Sequence, residues 1–154
     1  MSAVAPPLPS WLDLTGRTAV VTGAGSPTGI GFASARALGQ LGAAVVLTAT
    51  TGRVHERAAE LAAEGIEAVG VVGDLTVEDD VAALVAAAVS RASSGPVGVP
   101  RGVDVLVNNA GMTSLASPGL QTESGHVLDL DPEAWNASLR RNLDTAFLAT
   151  RQSA

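Results

Sequence analysis

Short apolar runs alternate with longer amphipathic segments along most of the chain. Four valine-rich runs have the length and composition of buried β-strands; they span 17–22, 43–49, 67–72 and 103–109. Three helices are predicted between them, at 29–40, 53–64 and 78–91. A last helix is expected to begin with Asp131 as its cap and Pro132 in its first turn, and to run to about Thr150.

The order of these elements is βαβαβαβα. Strands that are apolar throughout and alternate with helices predict a parallel sheet covered on both faces, which right-handed crossovers turn into a doubly wound, Rossmann-type α/β fold. One domain is expected over residues 11–154, after a proline-containing leader at 1–10 that we expect to be mobile. Surface loops are predicted at 93–102 and 112–130.

Composition narrows the possible functions. The 154 residues carry a net charge of −6 and their nine cations are all arginine, without a basic stripe, so nucleic acid is not an expected partner. There is no cysteine, and His55 and His126 stand far apart, so no metal site is expected. No apolar run reaches membrane-spanning length and the start is unlike a signal peptide, so we expect a cytoplasmic location and no membrane contact.

A glycine-rich segment follows the first strand. The stretch VVTGAGSPTGIGFASA, Val20–Ala35, places Gly23, Gly25 and Gly29 between a strand and a helix, with Gly31 inside the helix start. Backbone without Cβ atoms, next to a helix N-terminus, is typical of a cradle for the pyrophosphate of a dinucleotide. The alternative is an ordinary tight turn between strand and helix.

The end of the second strand favours one cofactor over another. A site for NAD usually has an acid there, which binds the ribose 2′-hydroxyl; this chain has Thr50 and Thr51, followed by Arg53. Hydroxyl and guanidinium groups would bind a 2′-phosphate that a carboxylate would repel. NADP is therefore predicted, with NAD as the alternative; Arg53 could instead simply begin a helix in solvent.

These residues resemble the short-chain dehydrogenase/reductase family. The family's signature is T-G, then three residues, then G-x-G. Thr22-Gly23 and Gly29-Ile30-Gly31 are similar to its two parts, but here five residues separate them instead of three. By resemblance, Thr22, Gly23, Gly25, Gly29, Ile30 and Gly31 are expected to bind the cofactor. The opening phrase LTGRTAVVTG looks most like the 3-oxoacyl-acyl-carrier-protein reductase branch.

Three further motifs carry the resemblance. Gly73-Asp74-Leu75 follows the third strand, and the family's aspartate contacts the adenine amino group. The segment Asn108-Asn109-Ala110-Gly111 ends the fourth strand; in the family it stabilises the sheet and lines the adenosine side of the cleft. Asn142 matches the family's catalytic asparagine. Each has a simpler alternative: a turn cap for Asp74, turn formers at 108–109, and a solvated helix position for Asn142.

The family's chemistry also requires a serine and Tyr-x-x-x-Lys, and this chain has neither tyrosine nor lysine. The resemblance therefore implies the N-terminal half of an NAD(P)-dependent oxidoreductase, truncated after its fourth βα unit. It would move hydride between nicotinamide and a small carbonyl or alcohol substrate, with a 3-oxoacyl thioester as one possibility. The alternative is a non-catalytic dinucleotide-binding module. Taken alone, these residues are expected to be inactive and to expose a sheet edge and helix faces, while the whole enzyme is expected to be a homo-oligomer.

Overall fold

The computed structural model describes residues 9, 11–91, 102–111, 128 and 131–154. Apart from residues 9, 102 and 128, the predicted leader and the two predicted surface loops lie outside the described residues. The described chain contains a four-stranded parallel sheet with the strand order β3-β2-β1-β4. The predicted fold class is confirmed. The strands are β1 Thr18–Val21, β2 Ala44–Ala49, β3 Ala68–Val72 and β4 Val105–Val107.

The helices follow the strands in the predicted order. Their bounds are α1 Ile30–Gln40, α2 Arg53–Ala63, α3 Glu78–Arg91, α4 Pro132–Leu139 and α5 Thr145–Ser153, with a π-helical turn at Arg140–Asp144 between the last two. None of the helices in the described residues is long and apolar enough to cross a lipid bilayer.

The two central strands carry the core because both of their faces are covered. Side chains alternate across a parallel strand, so Val21, Val45 and Leu47 pack in one apolar cluster with residues of α1 and α2. Val20 and Val46 pack in a second cluster with residues of α3 and α5. Helices therefore cover both faces of the sheet, as in a doubly wound fold.

The fourth strand is shorter than the predicted run of 103–109. It ends at Val107 because the next residues leave the ladder: the backbone N–H of Asn109 donates to the hydroxyl of Thr22, at 2.9 Å. At its start, the carboxylate of Asp104 accepts from the backbone N–H of Thr18 at 2.9 Å. No other strand in the described part of the chain pairs with the outer edge of β4.

The last helix begins as predicted but is not continuous. Oδ1 of Asp131 accepts a hydrogen bond from the backbone N–H of Ala134 at 2.8 Å, which confirms the cap. The regular ladder then gives way to the π-helical turn, where the hydroxyl of Thr145 lies 3.3 Å from the carbonyl oxygens of both Arg141 and Asn142. Hydrophobic periodicity does not show this break in the helix.

Large apolar side chains recur on the surface of this last helical segment. Four of them, each more than a third exposed, are spaced four residues apart: Trp135, Leu139, Leu143 and Phe147. The expectation that the last helix exposes an apolar face is confirmed for the described residues.

Candidate functional site

A cavity of about 420 Å³ lies at the carboxyl edge of the sheet, where all four strands end. This is the edge at which parallel α/β sheets bind their ligands. Nine of the residues predicted from the sequence line it: Gly23, Gly25, Thr50, Thr51, Arg53, Asp74, Leu75, Ala110 and Gly111. The structure therefore brings together segments that are up to 88 positions apart in the chain, as the separation of Thr22 from Ala110 shows.

A buried hydrogen-bond network joins the ends of β1 and β4 at this edge. The hydroxyl of Thr22 accepts from the backbone N–H groups of Asn109 and Ala110, at 2.9 and 2.8 Å, and lies 3.2 Å from the carbonyl oxygen of Val107. The side-chain amide of Asn109 donates to the carbonyl oxygens of Thr22 and Gly23, at 2.9 and 3.1 Å. We call Thr22, Gly23, Gly31, Asn109 and Ala110 the junction.

Glycine is required at two positions of the junction. Gly23 has a φ of +69°, and a Cβ there would lie 2.7 Å from Cα of Ala110. A Cβ on Gly31 would lie 2.5 Å from Nδ2 of Asn109 and 2.8 Å from the carbonyl oxygen of Gly23. The close neighbour that excludes these side chains is thus the protein itself, which is the reason why the helix can start directly above β4.

The remaining loop glycines also pack against protein atoms. A Cβ on Gly25 would lie 2.9 Å from Cβ of Ala49, at the end of β2. The backbone N–H of Gly29 donates to the carbonyl oxygen of Ser26 at 3.2 Å, so the additional loop residues form a tight turn with Pro27 inside it. The tight-turn alternative therefore describes part of the loop, while its Gly23–Ser26 portion also borders the cavity.

The end of β2 forms a polar rim of the cavity. Thr50, Thr51 and Arg53 are exposed, and Nε of Arg53 donates to the hydroxyl of Thr51 at 3.3 Å. Helix α2 begins at Arg53, and no side chain caps its first turn. The backbone N–H groups of Val54 and His55 donate to the carbonyl oxygens of Thr51 and Gly52, at 3.3 and 3.0 Å, so the rim offers a ligand mainly its side chains and the positive end of the helix dipole. We refer to Thr50, Thr51 and Arg53 as the rim.

The end of β3 contributes a carboxylate. Oδ1 of Asp74 accepts from the backbone N–H of Thr76 at 2.9 Å and from its hydroxyl at 2.7 Å. Both bonds hold the pKa of Asp74 below its ordinary value of 3.8, and the backbone bond contributes more than the hydroxyl bond. Asp74 thus does cap a turn, as the simpler interpretation predicted, and it lines the cavity with an ionised side chain as well.

The other predicted residues do not line the cavity. Thr22, Gly31 and Asn109 lie in the junction. Ile30 is 79% exposed at the start of α1, next to Gly29. A direct contact of these residues with a cofactor stays a prediction.

Asn142 lies on the π-helical turn beside the cavity rather than in its lining. Its side-chain amide donates to the carbonyl oxygen of Ser138 at 3.0 Å, and its Oδ1 lies 3.0 Å from where a Cβ on Gly111 would be. The solvated-helix alternative is therefore incomplete, since the exposed Asn142 is also held against the end of β4. Its catalytic role stays a prediction.

Sequence reasoning missed several lining residues. They are Ser26, Thr48, Ala49, Gly73, Thr76, Arg141 and Thr145. Most are neighbours of predicted positions, and strand-end geometry could have found them. Arg141 and Thr145 could not be found in this way, because they lie on the last helical segment and not at the end of a strand.

The charge of the cavity differs from that of the whole chain. Among the described residues, its lining contains two guanidinium groups, Arg53 and Arg141, and one carboxylate, Asp74, whereas the chain carries a net charge of −6. Such a cavity favours an anionic ligand with hydrogen-bonding groups. Among the residues that the structure describes, no group of three or more histidine, cysteine or acidic side chains could hold a metal ion.

Comparison with known proteins places the chain in a family. The sequence model of the family described as short chain dehydrogenase matches residues 17–154. A hydroxyacyl-CoA dehydrogenase of Mycobacterium tuberculosis is 34% identical over 92% of this chain and 40% of its own length. A 3-oxoacyl-[acyl-carrier-protein] reductase of Pseudomonas aeruginosa is 41% identical over 66% of this chain and 38% of its own.

A solved structure shows the same likeness in three dimensions. A metagenomic short-chain oxidoreductase, crystallised in complex with NADP, superposes with a TM-score of 0.69 at 35% identity. The match covers 90% of this chain and 55% of that protein. The chain thus spans about half the length, or less, of the relatives it matches.

Proposed function

The chain belongs to the short chain dehydrogenase family, and on that premise we propose that it forms the NADP-binding part of an oxidoreductase. The reaction would transfer hydride between nicotinamide and a small carbonyl or alcohol substrate. Matches to a hydroxyacyl-CoA dehydrogenase and a 3-oxoacyl-[acyl-carrier-protein] reductase favour a 3-oxoacyl or 3-hydroxyacyl thioester as that substrate.

The observation that carries the cofactor proposal is the chemistry of the rim. Two hydroxyls and a guanidinium lie at the end of β2, at the uncapped start of α2, without a carboxylate among them. Glu56, the carboxylate in the same helical turn, pairs with Arg57 at 3.2 Å and does not line the cavity, so an anion bound at the rim would offset both the Arg53 charge and the positive end of the helix dipole. A 2′-phosphate on the adenosine ribose is such an anion, and the metagenomic relative was crystallised with NADP.

The other cavity residues also fit a dinucleotide. The hydroxyl of Thr48 is buried at the end of β2, without a hydrogen-bond partner among the described residues, and it borders the cavity. The glycine loop presents backbone from Gly23 to Ser26 directly to the space. Asp74 retains Oδ2 as an acceptor for an amino group, since Thr76 occupies only Oδ1.

The chain's own residues would act mainly by binding and positioning. When bound, the nicotinamide supplies or accepts the hydride. Asn142, held on the π-helical turn, would order a water molecule in the proton relay, in the role that its resemblance to the family's asparagine implies. The junction would hold the loop and the β4 end in fixed register, so that the cofactor binds to a preformed surface.

The 154 residues contain no tyrosine and no lysine. They therefore lack the phenol that protonates a carbonyl oxygen and the ammonium group that lowers the pKa of that phenol in the family. We propose that this chain corresponds to the cofactor-binding, N-terminal half of the family architecture and has no turnover by itself. Cytoplasmic location and homo-oligomer formation by the whole enzyme stay predictions.

Cofactor titration into the 154-residue chain tests the binding proposal. The substitution Arg53→Ala removes a charge-assisted phosphate contact and should weaken NADP binding by ~1.5–3 kcal/mol, with little effect on NAD. Arg91→Ala is the matched control, because Arg91 ends α3 and does not line the cavity. Equal affinities of the parent for NAD and NADP would contradict the cofactor assignment.

Activity is tested separately from binding. The chain should bind NADPH without oxidising it in the presence of a generic ketone, as monitored by absorbance against a buffer blank. Turnover above that blank would refute the proposal that proton transfer requires residues outside these 154. A monomer by light scattering, with tight binding and a cooperative melt, would favour the non-catalytic module instead.

A further inference from the structure

The charged residues that line the cavity in the described part of the chain are Arg53, Asp74 and Arg141. Of these, Arg141 is the one for which the sequence analysis gave no role in cofactor binding. It lies on the π-helical turn and is half-buried, unlike the exposed Arg53. The two arginines belong to different walls. Helix α2, which begins at Arg53, packs in the cluster on one face of the sheet, whereas Leu148 of α5 packs in the cluster on the other face.

The helix face that carries Arg141 continues into the core. Thr145 and Leu148 lie four and seven residues further along, which places them on the same side of the helix. Leu148 is buried in one cluster with Leu75, against which Ala110 packs. Both Leu75 and Ala110 line the cavity. Arg141 therefore shares its wall with small and apolar groups, rather than with the hydroxyls of the rim.

The position of Arg141 is held by its neighbours on the helix. The hydroxyl of Thr145 lies 3.3 Å from the carbonyl oxygen of Arg141, and the adjacent Asn142 is held against Gly111. Arg141 and Thr145 both line the cavity. They are four residues apart, a spacing that places two side chains on one side of a helix.

The chemistry of this wall suits a planar ring. Arg53 has two hydroxyls and a helix N-terminus beside it, which is a donor set for phosphate. The wall of Arg141 instead offers the Leu75 side chain, the Ala110 methyl group and a carboxylate at Asp74. A guanidinium plane can stack on an aromatic ring, and a carboxylate in the same cavity can accept from an exocyclic amino group.

We propose that Arg141 is a further binding residue of the cavity and that its guanidinium stacks on the adenine ring of the dinucleotide. This inference rests on the proposed function, because it takes the cavity as a dinucleotide site. It gives the two arginines separate roles, since Arg53 discriminates for the 2′-phosphate while Arg141 contributes to the affinity for every ligand that contains adenine.

The test compares four ligands by calorimetry on the full 154-residue chain: NADP, NAD, AMP and nicotinamide mononucleotide. Arg141→Gln should weaken NADP, NAD and AMP by similar factors of roughly 3- to 10-fold, the range expected for losing one stacked guanidinium. Arg141→Lys should weaken them similarly, since it retains the charge but not the plane. Nicotinamide mononucleotide, which lacks adenine, should bind as it does to the parent.

Arg140→Gln is the matched control. Arg140 lies on the same π-helical turn, is exposed and does not line the cavity, so its neutralisation changes the net charge equally without removing the stacking group. It should leave all four affinities unchanged. Circular dichroism melts of the unliganded variants check that their fold is retained.

The different failures are distinguishable. Unchanged AMP and NAD affinities in Arg141→Gln would overturn the inference, while NADP preference in the parent would leave the proposed function intact. Full recovery by Arg141→Lys, or a loss limited to NADP, would show a phosphate contact and also overturn stacking. Adenine-dependent losses without any preference for NADP would support Arg141 and contradict the cofactor assignment. A parent that binds none of the ligands would refute both.

Discussion

The junction and the rim lie at the same sheet edge but are built differently. In the junction, Thr22 is 1% exposed, and its side chain, backbone and neighbours are joined by hydrogen bonds and by glycine contacts that leave no room for a methyl group. In the rim, Thr50, Thr51 and Arg53 are exposed, with one side-chain hydrogen bond at 3.3 Å. Folding therefore fixes the conformation of the junction, whereas the exposed side chains of the rim are free to change conformation when a ligand binds.

The largest effect is expected from Gly23→Ala in the junction. It combines the cost of a left-handed conformation with an overlap against the Ala110 backbone, and should lower the free energy of unfolding by about 2–4 kcal/mol. Urea or thermal denaturation measures it. Two matched variants separate the backbone cost from the steric cost. Gly65 has a φ of +82° with nothing within 4 Å of the position that a Cβ would take. Gly52 has neither a positive φ nor a close neighbour there.

The controls should therefore form a series. Gly65→Ala should cost about 1–2 kcal/mol through backbone conformation alone. Gly52→Ala, at a φ of −59°, should be neutral or stabilise by about 0.4–1 kcal/mol. A Gly23→Ala variant no worse than Gly65→Ala would show that the contact with Ala110 is not as tight as we describe.

A second test changes hydrogen bonding without changing volume. Thr22→Val removes the hydroxyl that accepts from the backbone N–H groups of Asn109 and Ala110; Asn109 keeps the carbonyl oxygen of Val107 at 3.1 Å, and the loss should cost about 1–3 kcal/mol of unfolding free energy. Thr48→Val is the matched control: Thr48 is also 1% exposed, but its hydroxyl has no partner among the described residues. That control should be neutral or slightly stabilising, and equal losses in the two variants would argue against the network.

A smaller effect is expected at Asp74. Its folded-state pKa is lowered, so its stabilisation is fully present above the unfolded value of 3.8 and is lost as the pH falls through the folded value. Asp74→Asn retains an acceptor for Thr76 but not the charge, and should cost less than about 1 kcal/mol at neutral pH because the group is exposed. Melts of both proteins should converge in acid; a difference that persists below the folded pKa would assign the effect to packing.

The smallest effect on folding is expected at the rim. Arg53→Ala should change the unfolding free energy by less than about 0.5 kcal/mol, as for most exposed substitutions. The same variant should lose NADP affinity, so it separates binding from stability in a single protein. A large loss of stability in Arg53→Ala would remove the distinction between rim and junction.

Much of the fold could be predicted because it depends on local patterns. Valine-rich runs identified all four strands, and α3 has the bounds 78–91 that its charges and periodicity predicted. Asp131 and Pro132 located the start of α4. The end of β4 was not predictable, since it depends on a hydrogen bond from Asn109 to the distant Thr22. The break at 140–144 has no signal in the hydrophobic periodicity.

The candidate site divides in the same way. Its motifs at Thr22-Gly23, Asp74, Asn109 and Asn142 are local signals, and the first three follow predicted parallel strands, so the edge that carries them could be predicted; the strand order β3-β2-β1-β4 came from the structure. The sequence by itself determined which backbone positions exclude side chains, because only glycine satisfies those positions. Only the tertiary structure decided what excludes them: the approach of Ala110 and Asn109 to the glycine loop, across more than 80 positions of chain. It also decided that Arg141 lines the cavity, because the last helical segment meets the carboxyl ends of the strands only in the folded protein.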